Sequence, residues 1–169
     1  LYNDITFCRG LLKLYSLNSN IPVNGIQSEW LERDLSQSQQ FGWRIAAYHH
    51  SIRHKVKNQP DQADIRKNWG TLFDKYGVQL AFESENSFAK YSYPVKVSNQ
   101  RGNIEGFIPD ENNGSVYIGG AAWAAPKTEG EYKKPLIFAA ESFQHFQLVF
   151  AELSQIEIRT INIQNSGND

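Results

Sequence analysis

Strand and helix patterns alternate through the first half of this sequence, and that alternation constrains the fold more than any other feature. Period-two alternation predicts a strand from Leu11 to Leu17, and a one-sided apolar pattern predicts a helix from Ser28 to Gln39. Two further strands, Trp43 to Tyr48 and Val78 to Phe82, flank a second helical pattern. This βαβαβ order predicts parallel strands, and ligands of parallel sheets gather beyond the carboxyl ends of the strands.

Both helical patterns have recognisable ends. Ser28 is the predicted N-cap of the first helix, because its hydroxyl can accept a hydrogen bond from a backbone N–H of the first turn. In the second helix, apolar residues recur at spacings of four, three, one and three, which predicts an amphipathic helix that ends at Gly77. Those apolar positions are Ile65, Trp69, Leu72, Phe73 and Tyr76.

The sequence after residue 82 is typical of β-structure. We predict strands at Ala89 to Val97, Ser115 to Ile118, Phe146 to Leu153 and Gln155 to Ile163. The apolar phase of the last strand changes near Thr160, which predicts a β-bulge there. We therefore expect an α/β (α+β) fold in a single domain, residues 1–169, with a βαβαβ part at 1–82 and a β-rich part at 83–169.

Composition excludes several kinds of partner. The 17 basic and 18 acidic side chains nearly cancel, so there is no nucleic-acid signature and no strong attraction to an anionic membrane surface. The longest apolar runs are far shorter than the roughly 20 residues of a membrane-spanning helix. Cys8 is the single cysteine and is expected to be a small buried apolar side chain. The start at Leu1, with no signal-like segment, suggests a mature product, a cleaved piece or a shortened form.

A pair of histidines directly follows the second predicted strand. Imidazole nitrogens at a strand end can ligate a divalent metal ion or protonate a leaving group. Adjacent histidines on an extended backbone point to opposite faces, so only one of His49 and His50 can face a given site. Taken alone, the pair favours the interpretation as surface or hydrogen-bonded histidines.

An acidic segment follows the third predicted strand. Glu83 and Glu85 are separated by one residue, and Lys90 comes shortly after them. Two carboxylates and an ammonium group could hold a metal ion and an oxyanion. The same residues are also compatible with a solvated polar turn.

Five segments, in order, resemble the second half of the calcineurin-like metallophosphoesterases, the superfamily that includes purple acid phosphatases. The first two are Leu17 to Ser19 and Gln27 to Leu35, which is similar to Gln-x-x-Trp-Leu-x-x-x-Leu. The third, Trp43 to Ser51, is similar to a strand ending in His-His-Pro or His-Ser-Pro. The fourth, Trp69 to Leu80, is similar to the helix and strand before the last metal motif, and the fifth, Tyr91 to Val95, is similar to Thr-Tyr-Pro-Val. The resemblance implies a calcineurin-like four-layer α/β/β/α sandwich, of which this chain provides one sheet and part of the other.

The resemblance also implies a metal centre. The family holds two divalent ions (Fe, Mn or Zn), and a metal-bound hydroxide attacks the phosphorus. By this match His49 is a metal ligand, with Ser51 in place of the family's proline, and Glu85 replaces the first histidine of the final Gly-His-x-His motif. Ser87 replaces the second histidine, and a hydroxyl is a poor ligand beside imidazole. The second ion is therefore bound weakly, bound by another group, or absent.

Other residues near these motifs are candidates for proton transfer and substrate contact. His50 is the candidate catalytic acid or base, and Arg53 and Lys90 are candidates for contact with the substrate phosphate. A solvated basic loop is the alternative for Arg53. Trp123 resembles a loop residue near the site mouth of relatives, and His145 is expected to be a strand residue rather than a ligand.

The family's earlier motifs, Asp-x-His, Gly-Asp-x-x-Asp and Gly-Asn-His-Asp/Glu, do not occur in this sequence. We therefore expect a metal-dependent phosphoester hydrolase whose N-terminal half is a partner, on the same polypeptide or on a separate chain. Half of such a sandwich leaves an apolar sheet face bare, so this association should be tight. The resemblance allows an extracytoplasmic location, and the sequence itself assigns no compartment.

Two alternatives stay open at this point. A degenerate relative could keep the fold as a non-catalytic binding or structural module, which Ser87 favours. An unrelated α/β hydrolytic domain could use His49 or His50 as a base, but no Gly-x-Ser-x-Gly or comparable nucleophile motif accompanies them. Whether the substrate is a phosphomonoester, a diester or a nucleotide is open in all of these interpretations.

Overall fold

The computed structural model describes residues 1–52, 62–85, 89–120 and 135–163. Its helical elements are a 3₁₀ turn at Cys8–Gly10, α1 (Ile26–Ser36), α2 (Ala63–Ile65), a π-helical segment (Arg66–Gly70) and α3 (Thr71–Tyr76). Its strands are β1 (Asn3–Phe7), β2 (Leu12–Ser16), β3 (Trp43–Tyr48), β4 (Leu80–Glu83), β5 (Ala89–Ser92), β6 (Val95–Val97), β7 (Phe107–Pro109), β8 (Val116–Gly119), β9 (Ile137–Glu141), β10 (His145–Ala151) and β11 (Ile156–Asn162). None of the described helices is long and apolar enough to cross a membrane.

A seven-stranded mixed sheet organises the molecule, with strand order β1-β2-β3-β4-β8-β5-β9. Strands β2, β3, β4 and β8 at its centre are parallel to one another. The outer strands, β1 on one side and β5 and β9 on the other, pair with their neighbours in antiparallel fashion. Strands β10 and β11 form a separate hairpin, and β6 pairs with β7. The predicted α/β class with a β-rich second part is confirmed. The parallel centre brings the carboxyl ends of β2, β3, β4 and β8 to one edge.

One face of the large sheet is covered by helices. Strand residues of alternate positions, among them Tyr15, Ala46 and Tyr117, join the main core. The helices contribute fully buried side chains to the same core: Leu31, Leu35, Ile65, Trp69 and Phe73. The amphipathic pattern of the second predicted helix is thereby confirmed, because its apolar stripe is the part that meets the sheet.

The opposite face of the sheet meets the β10–β11 hairpin. Ile45, Leu80 and Ile118, one position along each strand from the helix-facing residues, pack with Ile156 and Ile158 of β11. The Tyr91 hydroxyl of β5 donates to Gln147 Oε1 of β10 (2.8 Å), and the Trp43 Nε1 of β3 donates to the Glu152 carbonyl oxygen after β10 (2.6 Å). The structure therefore has the beginning of a second sheet stacked on the first, as the resemblance implied.

Several local predictions are accurate. Strand β3 has the predicted bounds, and Gly77 ends α3 in the left-handed conformation (φ 65°, ψ 50°) expected of a C-cap glycine. The helix from Ile65 to Tyr76 exists, but it is interrupted by the π-helical segment. Gly70 lies in that segment, where an added Cβ would come within 2.8 Å of a Val97 methyl carbon, so the close approach of β6 needs a glycine here.

Four local predictions are wrong. Helix α1 has Gly25 as its N-cap, and the Ser28 hydroxyl instead donates to the Val23 carbonyl oxygen, because the helix starts two residues before Ser28. Cys8 is exposed in the 3₁₀ turn. The β10–β11 register runs without interruption past Thr160, so there is no bulge. The strand predicted from Ala89 to Val97 is two strands, β5 and β6, which belong to different sheets.

Candidate functional site

Two loops meet at the carboxyl edge of the parallel strands. We call residues 49–52, after β3, the histidine loop, and residues 84–85, after β4, the acidic loop. The Ser84 N–H donates to the Tyr48 carbonyl oxygen (3.0 Å), and the Glu85 N–H donates to the His49 carbonyl oxygen (2.8 Å). Pairing of β3 with β4 thus continues into both loops. The structure brings His49 and Glu85 together, as their positions after neighbouring parallel strands predict.

The two histidines differ in environment. His49 is exposed, whereas His50 is half-buried, and their rings lie 5.0 Å apart between centroids. The His50 N–H donates to the Ser19 hydroxyl oxygen (2.9 Å), and the His50 Nδ1 lies 3.0 Å from the Ser19 carbonyl oxygen. With the proton on Nδ1, this ring donates to Ser19 and its Nε2 is the basic nitrogen. Ser19 follows β2 and fixes the orientation of His50.

Glu85 also holds the histidine loop through its side chain. The Ser51 N–H donates to Glu85 Oε2 at 3.1 Å, and Ser51 is fully buried. The backbone of Ser51 is therefore held in place by a carboxylate. The backbone bond between His49 and Glu85 and this side-chain bond make the two loops one unit.

Glu83 and Lys90 form a buried ion pair beneath these loops. The Lys90 Nζ lies 2.8 Å from Glu83 Oε2, and the Tyr48 hydroxyl donates to Glu83 Oε1 (3.1 Å). Burial, and secondarily the Glu83 charge, raises the pKa of Tyr48 well above its ordinary value, so this hydroxyl stays a hydrogen-bond donor. A role of Lys90 in substrate binding stays a prediction, and a substrate would have to compete with Glu83 for its ammonium group.

Other predicted site residues fall elsewhere. Arg53, Ser87 and Trp123 lie outside the described residues. His145 is the first residue of β10, as expected of a strand residue, and its Nδ1 lies 2.8 Å from the Phe143 carbonyl oxygen. Of the predicted site residues, the structure therefore brings His49, His50 and Glu85 together in the histidine and acidic loops.

The donors in these loops suit a divalent ion chemically, since imidazole and carboxylate are common ligands of Zn²⁺, Mn²⁺ and iron. Within the described parts of the chain, however, no group of three or more His, Cys, Asp or Glu side chains is arranged to hold a metal ion. His49 and Glu85 are two ligand side chains, so a complete coordination shell needs further ligands, such as water or side chains outside the described residues.

Sequence reasoning missed two residues that shape this site. Ser19 orients His50, and Tyr48 binds the carboxylate of Glu83. The available signal for Ser19 was its place after a strand parallel to β3, which puts it at the same sheet edge as His50. Tyr48 immediately precedes the histidines, and its alternation with His49 along the strand places its side chain on the helix-covered face.

Comparison with known sequences gives no family assignment. No family model matches the chain. No curated protein sequence matches it either.

Comparison with solved structures does find matches. The purple acid phosphatase PPD1 from yellow lupin (Lupinus luteus) seeds is similar with a TM-score of 0.75 and 14% identity, over 98% of this chain and 31% of that one. GAP50, described as the anchor in the inner membrane complex of Plasmodium, is similar with a TM-score of 0.67 and 10% identity, over 99% of this chain and 50% of that one. PhoD is similar with a TM-score of 0.59 and 10% identity, over 95% of this chain and 40% of that one.

These identities are low, so the likeness concerns the fold. This chain spans no more than half the length of each of these structures. Its large mixed sheet, helix-covered on one face and partly covered by a hairpin on the other, matches that portion of them. The chain therefore has a partial calcineurin-like α/β fold, shared with a purple acid phosphatase and with PhoD.

Proposed function

We propose that this chain contributes part of the active site of a metal-dependent phosphoester hydrolase. The observation that carries the proposal is the joining of His49 and Glu85 at the carboxyl edge of β3 and β4, through a 2.8 Å backbone hydrogen bond. This juxtaposition occurs in a fold that a purple acid phosphatase shares. In such enzymes a bound divalent ion supplies a hydroxide nucleophile and stabilises charge on the phosphoryl group.

The proposed roles follow from the chemistry of each side chain. His49 and Glu85 are the metal ligands, and His50, oriented by Ser19, is the proton-transfer residue. Of the two cations predicted to contact the substrate phosphate, Arg53 keeps that proposed role, whereas the ammonium of Lys90 already pairs with Glu83. The substrate class is a phosphoester, and Fe, Mn or Zn are the ions that this ligand set would take.

We also infer that a preceding segment covers the exposed part of the sheet. The face over β1, β2 and β3 is apolar, and Ile5 and Phe7 of β1 are 43% and 44% exposed there. Between this face and β10 lies a groove of about 510 Å³, lined by side chains that include Leu12, Leu14 and Val149. Strand β10 has β11 as its partner on one side, and no other strand among the described residues pairs with it. An added apolar strand beside β10 would fill the groove and continue the second sheet.

A second candidate function is a non-catalytic structural module. GAP50, which shares this fold, is described as an anchor, and Ser87 replaces a family ligand here. The two proposals differ in their expected metal content and turnover. A structural module should hold no stoichiometric divalent ion and should not hydrolyse a generic phosphoester.

The hydrolase proposal is tested by turnover of p-nitrophenyl phosphate in the protein carrying whatever segment is encoded before Leu1. Glu85→Gln keeps the size of the side chain but removes its charge, so we expect kcat/KM to fall by roughly 100-fold, as expected when a metal ligand is weakened. Glu111→Gln, at an exposed turn, is the matched control and should leave the rate unchanged. Equal rates in both variants, or no turnover by the wild type of either p-nitrophenyl phosphate or the diester bis(p-nitrophenyl) phosphate with any of Fe, Mn or Zn, would exclude the proposal.

A further inference from the structure

A charged pair lies buried under the candidate site. The Glu83 and Lys90 side chains are 0% and 2% exposed, and 2.8 Å separates Glu83 Oε2 from Lys90 Nζ. The other carboxylate oxygen, Oε1, accepts from the Tyr48 hydroxyl at 3.1 Å and from the Ile52 N–H at 2.7 Å. Every one of these contacts is buried. Glu83 thus binds the last residue of β3 and the last residue of the histidine loop simultaneously.

The pair also spans a strand. Glu83 of β4 lies beside Gly119 of β8, and Gly119 lies beside Lys90 of β5, so the three residues form one row across the sheet. Gly119, which lies between the two charged residues in this row, has no side chain. The row binds β4, β8 and β5 together at the edge where the histidine and acidic loops leave the sheet.

The hydrogen bond to Ile52 distinguishes this pair from ordinary core packing. Two apolar side chains in place of the pair could hold the strands together equally well. They could not accept the buried Ile52 N–H, whose direction fixes the end of the histidine loop. Lys90 balances the charge that makes Glu83 a strong acceptor, since an unpaired buried carboxylate would be strongly disfavoured.

We propose that Glu83 is a positioning residue, which holds the histidine loop in the geometry that presents His49, and that Lys90 serves it as the counter-charge. This inference deepens the proposed function, because it takes His49 as a ligand of a divalent ion. Residues that orient metal ligands typically affect metal affinity by 10- to 100-fold when changed. The functional atom is Glu83 Oε1, through the Ile52 N–H, and Lys90 acts on the loop through its ion pair with Glu83.

Two double variants separate positioning from packing. Glu83→Gln with Lys90→Met removes both charges but keeps a side-chain oxygen that can accept the Ile52 N–H. Glu83→Leu with Lys90→Met removes both charges and the acceptor. We expect both variants to fold, with the Leu variant melting at the lower temperature because the Ile52 N–H and the Tyr48 hydroxyl lose their acceptor there. The histidine loop should stay fixed only in the Gln variant.

The readouts are amide hydrogen exchange at Ile52 and Zn²⁺ affinity measured by calorimetry with Zn²⁺ alone, in the protein carrying whatever segment is encoded before Leu1. The Leu variant should exchange the Ile52 amide at least roughly tenfold faster than the Gln variant, and bind Zn²⁺ at least roughly tenfold more weakly. Equal exchange and equal affinity in the two variants would overturn the inference. If the wild type binds no Zn²⁺, the proposed function fails, and the exchange comparison alone decides whether Glu83 positions the loop.

Discussion

Single residues at the carboxyl edge of the sheet account for the candidate site. The meeting of His49 and Glu85 was predictable, because each follows a parallel strand and adjacent parallel strands end side by side. The burial of Lys90 against Glu83 was not, because these residues are joined across β8, which is distant in sequence. The spacing of residues in the sequence indicates which of them follow a strand. It does not indicate that a later strand, β8, lies between β4 and β5 in the sheet.

Asp74 gives a residue-scale prediction about pH. Its Oδ2 accepts the Val97 N–H at 2.7 Å, while Oδ1 is buried with no hydrogen-bond partner in the described structure. Burial raises the pKa of Asp74 to about 6, with the Val97 N–H and nearby Lys96 opposing this and Asp110 reinforcing it. The folded state therefore binds a proton that the unfolded chain, with an ordinary pKa near 3.9, has already lost.

Stability should accordingly decrease as the pH rises from about 4 to about 6, and level off above about 7. Asp74→Asn removes this titration, so the unfolding free energy of the wild type relative to the variant should fall between pH 4 and pH 7. The full shift corresponds to about 2 kcal/mol, and solvent screening of this partly exposed carboxyl reduces the expected fall to about 1 kcal/mol. Urea unfolding at both pH values measures it. A constant difference across that range would show that Asp74 does not titrate there.

At the scale of elements, strongly patterned segments were predictable and weakly patterned ones were not. Strand β3 and the helical stripe from Ile65 to Tyr76 carry clear periodicity and were found as predicted. Strand β1 was missed because its burial is slight and only one of its edges is paired. The break between β5 and β6 at Pro94 was missed because the apolar character of the sequence continues across it. The hydrophobic pattern indicates which residues of a strand are buried. It does not indicate the sheet to which the strand belongs, because that depends on pairing with strands distant in sequence.

The attachment of the β10–β11 hairpin gives an element-scale prediction. The Tyr91 hydroxyl of β5 donates to Gln147 Oε1 of β10 (2.8 Å) and lies 2.5 Å from Thr160 Oγ1 of β11. Tyr91→Phe removes this polar link between the sheet and the hairpin but keeps the ring. We expect a loss of about 1 kcal/mol in the free energy of unfolding, measured with urea.

Tyr93→Phe is the matched control for that measurement, because Tyr93 is 48% exposed and lies beyond the end of β5. It should change the unfolding free energy by less than about 0.5 kcal/mol. Equal effects of the two substitutions would mean that the Tyr91 hydroxyl does not hold the hairpin to the sheet.

At the scale of the whole molecule, part of one sheet face has no covering layer among the described residues. The hairpin packs against Ile45, Leu80 and Ile118, and the apolar groove of about 510 Å³ lies between β10 and the part of the sheet formed by β1 to β4. The sequence predicted a bare face from the absence of the family's earlier motifs. It could not predict which strands would be bare, because that depends on where the hairpin docks.

The exposed face leads to a prediction about association. The 19.3 kDa chain produced alone should associate in solution, since a large apolar face and a free strand edge attract other chains. Val149→Lys, which places a charge in the groove, should shift the mass distribution toward the monomer, whereas Gln100→Lys, which adds the same charge in an exposed loop, should not. Light scattering measures this, and a stable wild-type monomer would contradict the proposed partner surface.

The central claim, that this chain supplies ligands to a divalent metal site, is tested most directly by metal content. Elemental analysis would compare the wild type with His49→Ala, each in the protein carrying whatever segment is encoded before Leu1. The account predicts at least one divalent ion per chain in the wild type and its loss, or most of it, in the variant. An unchanged metal content in His49→Ala, or a wild type with no bound divalent ion, would contradict it.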